Sequence, residues 1–96
     1  MAFITRKGDV TTGHEDYPSR PSIRGSEWVY ESNTPIVTIG HSYAVHCNSL
    51  PSCHGGVQSS GSIFVFIDGK AIGRIGDSVS CGDFVATGSN WIDIAV

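Results

Sequence analysis

Strong helix-forming residues are scarce in this chain of 96 residues, which contains one leucine, one methionine and few lysines. Because it is rich in valine, isoleucine, serine and threonine instead, the composition favours strands. Twelve glycines and four prolines indicate many turns. A chain of this length buries too little surface for a second domain or a deep enzyme cleft. We therefore expect one all-β domain that spans residues 1–96.

Long apolar runs, a signal sequence and an excess of positive charge are also absent. Apolar runs such as Ile63–Ile67 are far shorter than the ~20 residues of a membrane-spanning helix. The N-terminus lacks the apolar region of a secretory signal, so we expect synthesis and folding in the cytosol. A net charge of −3 argues against a nucleic-acid partner. Three cysteines cannot all pair, and cytosolic disulfides are rare, so cysteine together with four histidines indicates a metal.

The chain contains an internal repeat. Residues Gly25–His41 and Gly61–Asp77 align without a gap at an offset of 36, with six identities and two aromatic matches in 17 positions. Partial copies flank them: Ile4–Asp9 resembles the end of a unit, and Gly88–Asp93 resembles its beginning. The chain thus contains three units. Since the opening strand of the first unit comes from the C-terminus, we predict adjacent termini and a closed ring.

Each unit is predicted to fold as strand, turn, strand and loop. Aromatic and β-branched residues indicate strands at Trp28–Tyr30 and Phe64–Ile67. Two-residue turns are expected at Ser32–Asn33 and at Asp68–Gly69, the latter followed by a short strand at Ala71–Ile72.

One side chain capable of binding a metal follows the end of each unit. His14, His46 and Cys81 lie four or five residues after the closing Asp or His, so a pseudo-threefold arrangement would bring them together. His54, in the longest loop (Cys47–Ser60), is the candidate fourth ligand. Three histidines and one cysteine suit a closed tetrahedral zinc site. Such an ion would stabilise a small domain, because its binding free energy contributes to folding.

Other residues near this group leave alternatives open. His41 stands where the other units have aspartate, so we interpret it as a turn residue or a partner of a ligand, with direct ligation as the alternative. Cys53 could replace His54 as fourth ligand, and a disulfide between Cys47 and Cys53 can form after export, although the repeat does not imply it. A zinc hydrolase would need an open coordination position and a carboxylate such as Glu15.

Taken together, these residues resemble the PAAR-repeat spike-tip family over essentially the whole chain. The resemblance rests on the repeated Gly-Ser-x-aromatic strand and on three segments: Arg6–Asp9 followed by His14, Asp68–Asp77, and Ser80–Gly82. At the position of the family's Pro-Ala-Ala-Arg motif, this chain has Ala71–Arg74, which keeps only the first alanine and the arginine in kind.

The resemblance implies a small cone of three pseudo-threefold β repeats with one metal ion near the apex. It implies that His14, His46, His54 and Cys81 hold this ion, which is zinc or, with the same ligands, iron. The broad base of such a cone binds the trimeric β-helical spike of a contractile injection machine, either a phage tail or a type VI secretion system. The cone then contacts the target cell's outer membrane transiently.

The implied role is structural and non-enzymatic, for a bare tip without a toxic extension. It would be made in the cytoplasm and then assembled into a virion baseplate or onto a type VI spike. A zinc-dependent hydrolase or toxin delivered by the machine, or an adaptor for type VI cargo, are the alternatives. Four large apolar residues either fill the core, which is the simpler interpretation, or dock on the spike: Trp28, Ile63, Phe64 and Trp91.

Overall fold

The computed structural model describes residues 2–94, which form strands and turns. Six of the eight strands in this range are two residues long: β1 (Ala2–Phe3), β2 (Tyr30–Glu31), β3 (Thr34–Pro35), β4 (Ser42–Cys47), β5 (Cys53–Val57), β6 (Phe66–Ile67), β7 (Lys70–Ala71) and β8 (Asp93–Ile94). Residues 2–94 contain no helix, and so none with the length and hydropathy of a membrane span. The all-β prediction is confirmed.

Three antiparallel strand pairs are copies of one hairpin: β1–β8, β2–β3 and β6–β7. Two of them close through the predicted turns, Ser32–Asn33 and Asp68–Gly69, in which both residues have positive φ. This backbone conformation matches the right-handed twist of the flanking strands. The third hairpin is made from the two ends of the chain, where Ala2 pairs with Ile94. The prediction that the C-terminal segment completes the first unit is confirmed.

The opening strands β2 and β6 begin two residues later than predicted, because a serine-capped turn precedes each of them. The Oγ of Ser26 accepts hydrogen bonds from the backbone N–H groups of Trp28 and Val29, at 3.1 and 2.9 Å. Ser62 and Ser89 cap the equivalent turns in the other two units. These bonds hold the chain in a bend where the aromatic residues had indicated a strand.

Three equivalent isoleucines form the first core cluster: Ile4, Ile36 and Ile72. The next residue in each unit closes a ring of backbone hydrogen bonds. Thr5 N–H donates to Gly73 O at 2.9 Å, Gly73 N–H to Val37 O at 2.9 Å, and Val37 N–H to Thr5 O at 3.0 Å. Because each unit donates to one neighbour and accepts from the other, the ring has no unpaired edge.

A second core cluster lies on the other side of this ring and consists of Tyr43, Val79 and Val85. The fully buried Gln58 joins it, and its Oε1 accepts a hydrogen bond of 2.6 Å from the Tyr43 hydroxyl. Burial raises the pKa of Tyr43, which keeps this hydroxyl protonated as a donor. Hairpin residues pack on the first cluster, whereas three longer segments extend from the second: 10–22, 42–58 and 78–85.

Apart from Tyr43, the large aromatic side chains lie outside both clusters. Trp28, Phe64 and Trp91, here called the base aromatics, are 76%, 61% and 79% exposed, and Ile63 is 72% exposed. The interpretation that these four residues fill the core is therefore wrong. Three copies of one side chain must meet around the pseudo-threefold axis, and side chains of medium size fit that space. The base aromatics instead form three equivalent exposed positions on the hairpin side.

Candidate metal centre

Three histidines and one cysteine converge beyond the second core cluster. The ligand atoms of His14, His46, His54 and Cys81 all lie within 4.8 Å of one another. The Nε2 atom of His54 is 3.0 Å from that of His14 and 2.7 Å from that of His46. Each of the three repeat units contributes to the group, as the equivalence of their loops predicts. This group could hold a metal ion.

The β4–β5 hairpin positions two of these histidines. His46 and His54 are direct cross-strand partners. In a regular strand Tyr43 and His46 would face opposite sides, but the register shifts between them, and both are buried, at 4% and 3% exposure. The expectation that Cys47–Ser60 is a loop is wrong for β5. The bulge thus lets one short strand supply both a core tyrosine and a site histidine.

Cys47 and Cys53 face each other one position beyond this histidine pair and form a disulfide. Their Cα atoms are 4.1 Å apart as cross-strand partners, a proximity that the repeat does not reveal. The alternative in which Cys53 replaces His54 as fourth ligand is therefore wrong. Cys81 is the free cysteine. The disulfide closes the hairpin that carries His46 and His54 without using the thiolate of the site.

We expect the double variant Cys47→Ser, Cys53→Ser to retain one metal ion per chain and to lose about 2 kcal/mol of unfolding free energy. The loss is modest because the disulfide closes a short loop and restrains few residues of the unfolded chain. Metal analysis and denaturant unfolding of the same samples measure both quantities, with reduced wild-type protein as the comparison. Loss of the metal on substitution would place these cysteines in the site after all.

A tight turn positions His14. The backbone N–H and C=O groups of His14 and Tyr17 bond to each other across the two-residue turn Glu15–Asp16. Gly13 precedes it with a φ of 76°, and a Cβ there would lie 2.7 Å from the Tyr17 carbonyl oxygen, so only glycine fits. Glu15 is exposed at this turn and does not belong to the metal-capable group. Glu15 therefore does not supply the carboxylate that the hydrolase interpretation requires.

A second tight turn presents Cys81. The N–H of Gly82 donates to Val79 O at 3.0 Å, and the N–H of Val79 donates to Asp83 O at 2.9 Å. Gly56 of β5 faces this turn, where a Cβ would lie 3.0 Å from the Cys81 Sγ. The absence of a side chain at position 56 thus gives the thiol its place beside the histidines.

His41 lies outside the group and closes a turn. Its Nδ1 accepts a hydrogen bond of 2.9 Å from the N–H of Thr38. The carboxylates of Asp9 and Asp77 accept the equivalent bond in the other units, also from a residue three positions earlier. Burial, more than nearby positive charge, lowers the pKa of His41 and so favours the neutral ring that can accept. The turn interpretation is confirmed.

The hydrogen-bonding pattern of the imidazoles fits a bound cation. The Nδ1 of His46 lies 2.8 Å from the carbonyl oxygen of Pro18, and since a carbonyl only accepts, this nitrogen carries the hydrogen. Its Nε2 is then left with a lone pair that faces the group. A single hydrogen on His54 Nε2 cannot serve both of its short contacts, with His14 and with His46. A cation accepts lone pairs from all three rings at once.

Two further residues of this site were not predicted from the sequence. The ring of Tyr17 lies against all three imidazoles, with centroids 4.3 to 4.9 Å apart, and restricts their orientation by packing. Asp83 is 2% exposed, and its Oδ1 lies 3.5 Å from His14 Nε2. Both residues lie outside the aligned segments Gly25–His41 and Gly61–Asp77. The only available signal was their proximity in sequence to His14 and Cys81.

The chain matches the model of a known protein family. The family model described as "PAAR motif" matches residues 7–87 of the chain. No curated protein matches it. The matched range includes all four residues of the metal-capable group, whereas strand β8 lies beyond it.

Proposed function

The chain belongs to the PAAR motif family, and on this premise we propose that it is the tip of the trimeric β-helical spike of a contractile injection machine. Such a machine is a phage tail or a type VI secretion system. In this role the hairpin side of the ring binds the spike. The metal-bearing end leads through the outer membrane of the target cell. The role is mechanical and involves no catalysis.

The observation that carries this proposal is the placement of the base aromatics. Trp28, Phe64 and Trp91 occupy equivalent positions of a closed pseudo-threefold ring, and each is more than half exposed. A monomer with three such positions can offer a similar contact to every chain of a trimer. Exposed aromatic side chains are also typical anchors of protein interfaces. The symmetry of the surface therefore suits a threefold partner.

We assign zinc as the ion of the metal centre. Imidazole and thiolate are the usual ligands of structural zinc, and four protein donors leave no open position for a substrate. Iron is compatible with the same donors. The ion would join segments of all three repeat units beside the second core cluster, against which Cys81 packs. A tip under mechanical load requires this rigidity.

Substitution of two base aromatics tests the docking surface. We expect Trp28→Ser with Trp91→Ser to weaken binding to the trimeric spike protein of the machine by at least about tenfold, since tryptophans that act as interface hot spots contribute about 2 kcal/mol or more. Thermal unfolding should change little, because both side chains lie in solvent. Calorimetric titration gives the affinity and the stoichiometry, which we expect to be one chain per trimer.

Leu50→Ser provides the matched control. Leu50 is 83% exposed in the connection between β4 and β5, at the opposite end of the molecule. Its substitution removes a comparable exposed apolar side chain and should leave spike binding unchanged. Equal weakening by both sets of substitutions would argue against docking through the hairpin side, and absence of wild-type binding would refute the spike-tip role.

A further inference from the structure

Buried carboxylates in the described part of the chain differ in their counter-charges. Glu31 and Asp77 are 6% and 7% exposed, and each accepts from an arginine: Arg6 at 3.1 Å and Arg74 at 2.9 Å. Asp83 is more deeply buried, at 2% exposure, and neither lysine nor arginine lies within ion-pair distance among residues 2–94. Buried charges are ordinarily paired or coordinate metals, so the position of Asp83 requires an explanation.

The Asp83 side chain faces the metal-capable group. Its Oδ1 lies 3.5 Å from the Nε2 of His14, and its Oδ2 lies 4.0 Å from the Nδ1 of His46. Within residues 2–94, Oδ1 is the buried side-chain polar atom that lacks a hydrogen-bond partner. Asp83 thus combines deep burial, an unpartnered oxygen and orientation toward the site.

The neighbouring imidazoles do not supply the missing partner when a metal is bound. The hydrogen on His46 Nδ1 is directed to the Pro18 carbonyl oxygen at 2.8 Å. The Nε2 of His14 has no hydrogen to donate once it coordinates an ion. The positive charge that Oδ1 faces is then the ion itself. With a divalent ion, the thiolate of Cys81 and the carboxylate of Asp83 together give a neutral centre.

We infer that Asp83 is the charge-balancing carboxylate of the metal centre and that the affinity for a divalent ion depends on its charge. This inference rests on metal binding by the group of four and not on the spike-tip role. Residues just outside a coordination shell commonly change metal affinity 10- to 100-fold.

The test compares Asp83→Asn with wild type at pH 8, with Zn²⁺ alone as the probe. Asparagine retains the shape of the aspartate side chain and removes its charge. We expect the Kd for Zn²⁺, measured by chelator competition, to rise about 10- to 100-fold. In excess chelator the variant should unfold at the same temperature as wild type or above it, because the metal-free protein no longer buries a carboxylate without a cation. Asp83→Glu restores the charge and should recover part of the affinity.

Asp77→Asn is the matched control, because it removes a buried carboxylate whose partner is Arg74 and which lies outside the metal-capable group. It should lower the unfolding temperature with and without Zn²⁺ and change the Kd less than about threefold. An unchanged Kd in Asp83→Asn, or an equal change in Asp77→Asn, would overturn the inference. So would equal Kd values for Asp83→Asn and Asp83→Glu.

Two further outcomes also give a result: a variant that does not fold, and a wild type that binds no Zn²⁺. If Asp83→Asn does not fold in Zn²⁺ or in chelator, Asp83→Ala is measured in its place, and a wild-type Kd in that variant would refute the inference. If wild type itself binds no Zn²⁺, the metal centre fails together with this inference. If wild type binds Zn²⁺ and only the charge dependence is missing, the metal centre remains and the role of Asp83 is rejected.

Discussion

His46→Ala is expected to abolish stoichiometric metal binding and to leave the chain largely unfolded at 25 °C. His46 is 3% exposed, its Nε2 belongs to the metal-capable group and its Nδ1 bonds to Pro18. The binding free energy of a structural zinc contributes to folding, so its loss removes a large share of the stability of a small domain. The substitution also opens a cavity among the aromatic rings, which adds to the loss.

The measurement pairs elemental analysis of the purified protein with thermal unfolding followed by circular dichroism. Wild type should contain one zinc per chain. A strong chelator should shift its unfolding transition to lower temperature. His14→Ala, His54→Ala and Cys81→Ala should resemble His46→Ala, because each removes one of the four donors. Retention of one ion per chain in any of these variants would remove that residue from the ligand set.

His41→Ala is the matched control for the histidine substitutions. Its imidazole is outside the metal-capable group; the N–H of Thr38 donates to its Nδ1 at 2.9 Å, and the Thr38 hydroxyl lies 3.3 Å from the same atom. We expect it to keep one zinc per chain and to lose about 1 kcal/mol of unfolding free energy, the usual contribution of one hydrogen bond. Metal loss in this variant as well would mean that the ion content reports general stability.

The ring could be predicted from the sequence because the repeat shows which positions are equivalent in the three units. Once Gly25–His41 and Gly61–Asp77 are aligned, the positions of His14, His46 and Cys81 become equivalent. Any closed arrangement of equivalent loops brings equivalent residues together, whatever the exact strand bounds. The same logic predicted the pairing of the chain ends, since Gly88–Asp93 could only complete the first unit.

Features specific to one unit could not be predicted in this way. The bulge between Tyr43 and His46, the disulfide between Cys47 and Cys53, and the carboxylate of Asp83 each occur once. The first two depend on the pairing within one hairpin and the third on contacts of Asp83 with His14 and His46, none of which the repeat pattern encodes. His54 illustrates the limit: it was assigned through family resemblance, and the structure brings it to the site through a cross-strand pairing that is not repeated.

The prediction that the base aromatics are buried is wrong for a related reason. Hydrophobicity alone favours burial, but the serine-capped turns hold Trp28, Phe64 and Trp91 outside the strands whose inner faces form the core. The cap requires a serine two positions before each aromatic residue, and that spacing is visible in the sequence. The exposure of the aromatic side chains, however, depends on the hydrogen bonds that the serine makes, which the sequence does not show.

The largest structural effect is expected from removal of the C-terminal segment. A chain that ends at Thr87 should not fold, because Ile4 loses its backbone bonds with Ser89 and Ile92, and β1 loses its only strand partner among residues 2–94. The carboxylate of Glu31 also loses the Ser89 hydroxyl that donates to it. Circular dichroism and elemental analysis should show neither a cooperative transition nor bound zinc.

A circular permutant should restore the fold, which separates loss of ring closure from nonspecific damage. In the two intact hairpins, two residues separate the paired Glu31 and Thr34, and two separate the paired Ile67 and Lys70. Since Ile94 pairs with Ala2 in the same register, the chain 88–94, Asp-Gly, 2–87 should form a third hairpin of the same kind. We expect one zinc per chain and an unfolding temperature within a few degrees of wild type. A one-residue linker cannot keep this register and should lower that temperature. Folding of the truncated chain would show that the ring does not depend on this closure, and failure of the Asp-Gly permutant would show that rejoining these strands does not restore the fold.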